Sequence, residues 1–193
     1  SIGEALASAP SDGRKPFRIL IGRGLWREKL RIDNPSIHLI GAHRADSGLC
    51  FDAAAGMRRP DGQAWGTWGC ASVTVLARDF HAENLRIEND FDYIGNLRAP
   101  KFEAIGPNGA QAVALMLDTG SERAMLERVD IIGHQDTLFV NAGGSLNFPN
   151  AAYYCAAAEW DFWMGKDILT KMPAEMHPFV LGAQKHLNGA KDR

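Results

Sequence analysis

Charge of one sign is scarce in this sequence: 21 Lys and Arg oppose 23 Asp and Glu, leaving a formal net charge of −2 over 193 residues. Such a chain makes no field that would collect nucleic acid or an anionic membrane surface, so neither is expected as a partner. Long apolar runs are missing too. No segment approaches the roughly 20 residues of a membrane-spanning helix, and the first residues lack the basic-then-apolar layout of an export signal. Cysteine is sparse. Cys50, Cys70 and Cys155 show no CxxC spacing, which excludes a zinc knuckle or a dithiol redox pair and leaves structural or free thiols, or one disulfide in an oxidising compartment. The six histidines form no HExxH or HxH pattern, so no metal site is expected. A Gly-x-Ser-x-Gly elbow is absent, Gly22-Arg23-Gly24 lacks the third glycine of a dinucleotide loop, and no Gly-Lys-Ser/Thr occurs. Serine-hydrolase and nucleotide chemistry are thereby set aside. Asn34 precedes Pro35, and no other Asn-x-Ser/Thr acceptor is present, which points away from a eukaryotic glycoprotein.

What is present describes one soluble domain over residues 1–193, 46% hydrophobic and 23% charged. Ser1-Ile2-Gly3-Glu4 is a capping box, predicting a helix from Ser1 to about Ala9 that ends at the turn Pro10-Ser11-Asp12-Gly13. Short strand-like runs follow: 17–21, 30–32, 37–40, 73–76, 85–87, 112–117 and 129–132, with no long amphipathic helix before Leu138. Leu85-Arg86-Ile87 and Val129-Asp130-Ile131 repeat an apolar-polar-apolar core 44 residues apart, which suits two turns of a solenoid at about 22 residues each. The connections Ala42 to Cys70 and Asn89 to Gly109 then read as projecting loops. A β-sandwich fits the same periodicity, and periodicity leaves both open.

Three blocks occur in order: Gly24-Leu25-Trp26-Arg27-Glu28-Lys29, Gln111-Ala112-Val113-Ala114-Leu115 and Gly133-His134-Gln135-Asp136-Thr137-Leu138. With them stand Ser1-Ile2-Gly3-Glu4-Ala5-Leu6, Trp65-Gly66-Thr67 before Cys70-Ala71-Ser72-Val73, and Phe80-His81-Ala82-Glu83-Asn84-Leu85 before Glu88-Asn89-Asp90-Phe91-Asp92. Together they resemble the pectinesterases over about residues 1–142. The resemblance implies an all-β fold, a right-handed parallel β-helix whose C-terminal coils are incomplete here. It implies hydrolysis of methyl esters of galacturonate residues in pectin, without metal or organic cofactor. It also implies a monomer, secreted or located in the periplasm or at the outer membrane.

Ester hydrolysis needs a nucleophile, donors for the developing oxyanion and a proton donor for the leaving methoxide. By resemblance Asp136 is the acid/base, Gln111 and Gln135 are oxyanion donors, and Asp161 in Cys155-Ala156-Ala157-Ala158-Glu159-Trp160-Asp161-Phe162-Trp163-Met164-Gly165 is the nucleophile on a strand, with Glu159 second. The run from Cys155 to Asp161 is one residue shorter than the family spacing, so a bulge is needed to keep Asp161 on the reacting face. Gln135 and Asp136, adjacent on a short strand, face opposite ways unless a bend brings both to the substrate. Trp163, Phe139 and Thr67 are the substrate-binding candidates, and Glu28 is expected to support a turn. The family's later Gly-Arg-Pro-Trp stretch, whose Arg holds the nucleophile, does not follow Gly165. Weak or absent turnover is expected from that, with 143–193 a diverged or capping segment. Alternatives are a β-helix that holds polysaccharide without hydrolysing it, and a same-fold esterase or thioesterase of other specificity.

Overall fold

A computed structural model describes residues 1–98, 109–141 and 157–190. The chain forms two compact units, Ser1–Gly143 and Gly144–Arg193.

The first unit opens with helix α1 (Ile2–Ala7). The Ser1 hydroxyl accepts from the Glu4 amide at 3.1 Å while the Glu4 carboxylate accepts from the Ser1 amine at 2.8 Å, the expected capping box. Glu28 adds a second cap from a distant strand end, its two oxygens accepting from the amides of Ile2 and Gly3 at 2.9 Å each. These amides are among those a helix N-terminus leaves unpaired. Ile2 and Leu6 are thereby held against the core.

Among the described residues twelve short strands follow: β1 (Phe17–Ile21), β2 (Gly24–Arg27), β3 (Leu30–Ile32), β4 (Ile37–Gly41), β5 (Ser47–Phe51), β6 (Val73–Val75), β7 (His81–Glu83), β8 (Arg86–Asn89), β9 (Leu115–Leu117), β10 (Met125–Glu127), β11 (Asp130–Ile132) and β12 (Leu138–Val140). They form three parallel sheets, β1-β4-β7-β10, β2-β5-β8-β11 and β3-β6-β9-β12. Each strand pairs with the strand three places along the chain, so the backbone visits the three sheets in turn and returns one rung higher. Alternation along the strands turns Ile19, Ile21, Leu39, Ala82, Leu85, Ile87, Val73, Val75, Leu115 and Leu117 into one shared core.

The register corrects the expected coil length. Ile87 pairs directly with Ile131 and Arg86 with Asp130, so the 44-residue offset is a single coil lengthened by a loop, not two coils of 22. Coils without long loops are short: Phe17 pairs with Ile37 and Leu115 with Leu138. The expected loop from Ala42 to Cys70 also contains strand β5, which sequence reading passed over. Corners are marked by residues with positive φ on neighbouring rungs: Ser36, Asp79 and Arg123 at 58°, 61° and 59°, and Asn84 and Arg128 at 55° and 52°. Between the first and second sheets, Gly41 lies so close to the next rung that a Cβ there would stand 2.3 Å from the Asn84 carbonyl oxygen.

Helix α2 (Tyr93–Arg98) lies between β8 and β9 within the first unit. In the second unit the described residues are helical: α3 (Ala157–Trp163), α4 (Ile168–Lys171), a 3-10 turn (Ala174–Met176) and α5 (His177–Ala190), with Ile168 and Val180 buried. All-β therefore describes the first unit and not the second. Among the described residues no helix is long and apolar enough to cross a membrane. Cys50 and Cys70 are buried free thiols, and Cys155 lies outside the described residues.

Candidate active site

The approach to the third sheet brings four separated segments onto neighbouring rungs. Leu30 pairs with Val73, Val73 with Leu115, and Leu115 with Leu138. The residues just ahead of these strands are consequently stacked: Lys29, then Cys70-Ala71-Ser72, then Gln111 to Ala114, then Gln135-Asp136-Thr137. Backbone bonds fix the stack. The Leu30 amide donates to Ser72 at 2.8 Å, Ser72 to Val113 at 3.0 Å, Ala112 to Gln135 at 3.1 Å, and Ala114 to Thr137 at 3.0 Å. Gln111 is thus set beside the Gln135-Asp136 pair on the adjoining coil.

Residues 134–137 form a bend and not the regular strand assumed from sequence. Asp136 has φ of 56°, in the left-handed region that Asp tolerates better than most residues. The bend breaks the two-residue alternation that would send Gln135 and Asp136 to opposite faces. The Asp136 carboxyl reaches solvent, yet the protein crowded around it removes hydration and raises its pKa above the ordinary aspartate range. Gln111 is half-buried, and its Oε1 is shielded from solvent without a hydrogen-bond partner. Such an orphaned amide is uncommon and marks a side chain not committed to the fold.

Beneath the bend lies a separate apolar layer of Ala53, Ala55, Cys70, Ala71, Val113 and Met116, with Phe51, Trp65 and Phe139 packed against it. Asn89 ties this layer together. It is 1% exposed; its Nδ2 donates to the carbonyls of Ala53 at 2.9 Å and Val113 at 3.0 Å, and its Oδ1 accepts from the Phe91 amide at 3.1 Å. Lys29 projects into the same layer, donating to the Ala71 carbonyl and lying 4.8 Å from the Trp65 ring centroid and 5.6 Å from that of Phe51. Burial lowers its pKa to about 8, with the Cys70 thiol acting the other way. Cys70 itself is pushed up by burial, Lys29 opposing and Asp136 adding to the rise. Lys29, Cys70 and Asp136 therefore share one electrostatic neighbourhood.

Phe139 meets the exposed Trp68 edge-on, centroids 5.2 Å apart. Thr67 offers its carbonyl to the Cys70 thiol at 3.3 Å. Tyr93 stacks on His134, next to Gln135, at 5.5 Å with 16° between the rings. Sequence reading assigned no part here to Lys29, Asn89 or Tyr93 and left Trp68 undistinguished. Only Asn89 carried a signal, as an uncharged polar residue at the inward position that follows Leu85 and Ile87 in the alternation.

The grouping just described is made within the first unit; Asp161 and Trp163 belong to the second. Asp161 lies exposed on helix α3, not on a strand, and Glu159 lies on the same helix. The run Ala156-Ala157-Ala158-Glu159 explains the difference, since alanine and glutamate favour helix over extended chain. Trp163 is half-buried, edge-on to Phe162 at 5.0 Å, with its carbonyl accepting from Gln184 at 3.1 Å.

Comparison with known proteins covers most of the first unit. A family model described as Pectinesterase matches residues 1–146. Pectinesterase A of Dickeya dadantii is 39% identical over 141 residues, covering 73% of this chain and 38% of that protein. Pectinesterase A of Dickeya chrysanthemi gives the same identity and coverage. Among solved structures, a pectin methylesterase in complex with a hexasaccharide has TM-score 0.70 at 39% identity, covering 75% of this chain and 42% of that one. Pectin methylesterase from Yersinia enterocolitica has TM-score 0.70 at 37% identity, covering 76% and 46%. The chain spans less than half the length of these relatives.

Proposed function

The chain belongs to the pectinesterase family, and from that premise we propose that it carries a carboxylic ester hydrolase site for the methyl esters of galacturonate residues in pectin. The first unit is read as a right-handed parallel β-helix, and the groove as the face in front of its third sheet. The protein acts outside the cytoplasm as a monomer. The observation that carries the reading is the bond from the Ala112 amide to the Gln135 carbonyl, which sets Gln111 beside Gln135 and Asp136.

The chemistry follows from these groups. The amide N–H groups of Gln111 and Gln135 receive the negative charge that develops on the ester oxygen. An uncharged donor suits this role because it leaves a neighbouring carboxylate nucleophile unquenched. A carboxylate nucleophile attacks the ester carbon to give an acyl-enzyme anhydride. Asp136, whose desolvation favours the protonated form, gives its proton to the departing methoxide. It then takes a proton from the water that opens the anhydride, returning both acids to their starting states. Trp68, Phe139 and Tyr93 offer flat faces for sugar rings, with Thr67 at the rim.

A second reading rests on one observation: Asp161 is exposed on a helix. In it the groove holds methylated polygalacturonate without turnover. Methanol release from highly methylated pectin separates the two. Hydrolysis that vanishes in Asp136→Asn is the expected result. Undiminished release in that variant would refute the role of Asp136, and pectin retention without methanol in the parent chain would select the second reading.

A further inference from the structure

A second group of chemically capable side chains lies on the outward face of the first sheet, on different strands from the groove. Register sets His38 on β4 directly beside His81 on β7. Their rings stack, centroids 4.0 Å apart and planes 12° from parallel. The alternating neighbours Ile37, Leu39 and Ala82 point into the core, so both imidazoles and Glu83 point outward together. His38 Nε2 stands 3.4 Å from Glu83 Oε2. One donor atom from each of His38, His81 and Glu83 can be chosen so that all lie within 4.8 Å of one another.

The ring nitrogens are the unusual feature. Nε2 of both histidines is shielded from solvent without a properly angled hydrogen-bond partner, the contact of His38 to Glu83 being an ion-pair approach. Two buried orphan nitrogens on adjacent rungs are costly, and a ladder of apolar or amide side chains would fill the position without that cost. Around them, Arg128 donates to Glu83 Oε1 and to Glu127 Oε1 at 2.5 Å each, leaving Glu83 Oε2 turned to the rings. Glu127 Oε2 lies 4.0 Å from His81 Nε2.

We propose that His38, His81 and Glu83 bind a single divalent transition-metal ion, with Zn2+ the best fit to two imidazole nitrogens and one carboxylate oxygen. Zinc–nitrogen bonds of about 2.0–2.1 Å put tetrahedral ligand atoms roughly 3.4 Å apart, so closure requires ligand-atom shifts of about 1 Å together with rotation of the two stacked rings out of their parallel planes, which makes their in-plane lone pairs converge. Glu127 is in reach as a fourth ligand. The ion clamps β4 to β7, and through Glu127 also β10, on the outside of the coil. Softer thiolate-preferring ions are disfavoured because no cysteine shares this face among the described residues. The proposal stands apart from the esterase reading.

The test uses the full chain, stripped with a chelator and titrated with Zn2+ by calorimetry and with Co2+ by visible absorption. One saturable equivalent and a raised thermal midpoint are expected. His38→Gln, His81→Gln and Glu83→Gln should each weaken binding roughly tenfold or more. His43→Gln should leave it unchanged, because His43 sits at a different corner beside Asp46. Loss in the three variants counts only where far-ultraviolet circular dichroism matches the parent. If they misfold, the unmodified chain decides: bound Co2+ should give two hyperfine-shifted imidazole N–H resonances. Absence of saturable binding, binding that survives all three substitutions, or fewer than two shifted resonances would overturn the site.

Discussion

Lys29 is the residue whose surroundings most oppose its charge. Its ammonium is held in an apolar layer with one carbonyl and two aromatic faces as compensation, and its pKa falls to about 8 from an ordinary 10.5. Between those two values the unfolded chain binds more protons than the folded one, so stability should rise with pH across that window. Below it the penalty for the buried charge is fully present. Lys29→Met should therefore be more stable than the parent at about pH 7 and lose that advantage by about pH 10, as read from urea unfolding at both values. An unchanged difference would mean that Lys29 is well solvated. Legibility at this scale was uneven. Gln111, Gln135 and Asp136 stand in ordered motifs and could be named from them. Lys29 closes one of the same motifs, but nothing in a six-residue block tells that its side chain turns inward under Phe51 and Trp65.

The elements that hold the candidate groove are connected by one side chain. Asn89 ends β8 and bonds to carbonyls of two other segments and to the Phe91 amide. Asn89→Ala would leave these groups buried and unpaired, at about 1–3 kcal/mol for the most shielded of them. Chemical denaturation should register a loss of about 2–4 kcal/mol. Strand recognition succeeded where one face is buried, as in β1, β4 and β6 with apolar residues at alternate positions. It failed for β5, where Ser47, Gly48, Leu49 and Cys50 are all buried and alternation disappears, and for β2, which is largely exposed. It failed again for β10, where Leu126 is the one residue turned toward the core. The pairing of His38 with His81 was out of reach for a related reason. Metal-ligand patterns are sought over a few residues, whereas a coil sets partners 43 residues apart.

Across the whole first unit, burial is graded from one end to the other. At the α1 end, Ile2 and Leu6 close over β1 and β3, and Ile21, Leu30 and Ile32 are 1–3% exposed. On the last rung, Leu126, Val129, Ile131, Leu138 and Val140 occupy equivalent inward positions but are only partly buried. Strands β10, β11 and β12 have a pairing partner on one side only, among the described strands. Stability in stacked architectures is close to a sum over neighbouring rungs, so a rung with one neighbour opens more readily. Hydrogen exchange followed by mass spectrometry should find the amides of 125–140 exchanging well ahead of those in β4 to β9, with 17–32 nearer the protected class. Uniform protection across the rungs would contradict that picture.

Coils that carry 20 residues and coils that carry 44 keep the same inter-strand register. Connection length is therefore decoupled from the geometry of the sheets. The walls of the groove can be rebuilt, lengthened or exchanged without moving its floor. Trimming the tip between Gly56 and Gly69 would strip away Trp65 and Trp68 yet leave Ala55, whose amide donates to the Gln111 carbonyl, and Cys70 in place beneath the bend. In this fold, the residues of a wall and those of the floor are free to evolve on separate parts of the chain.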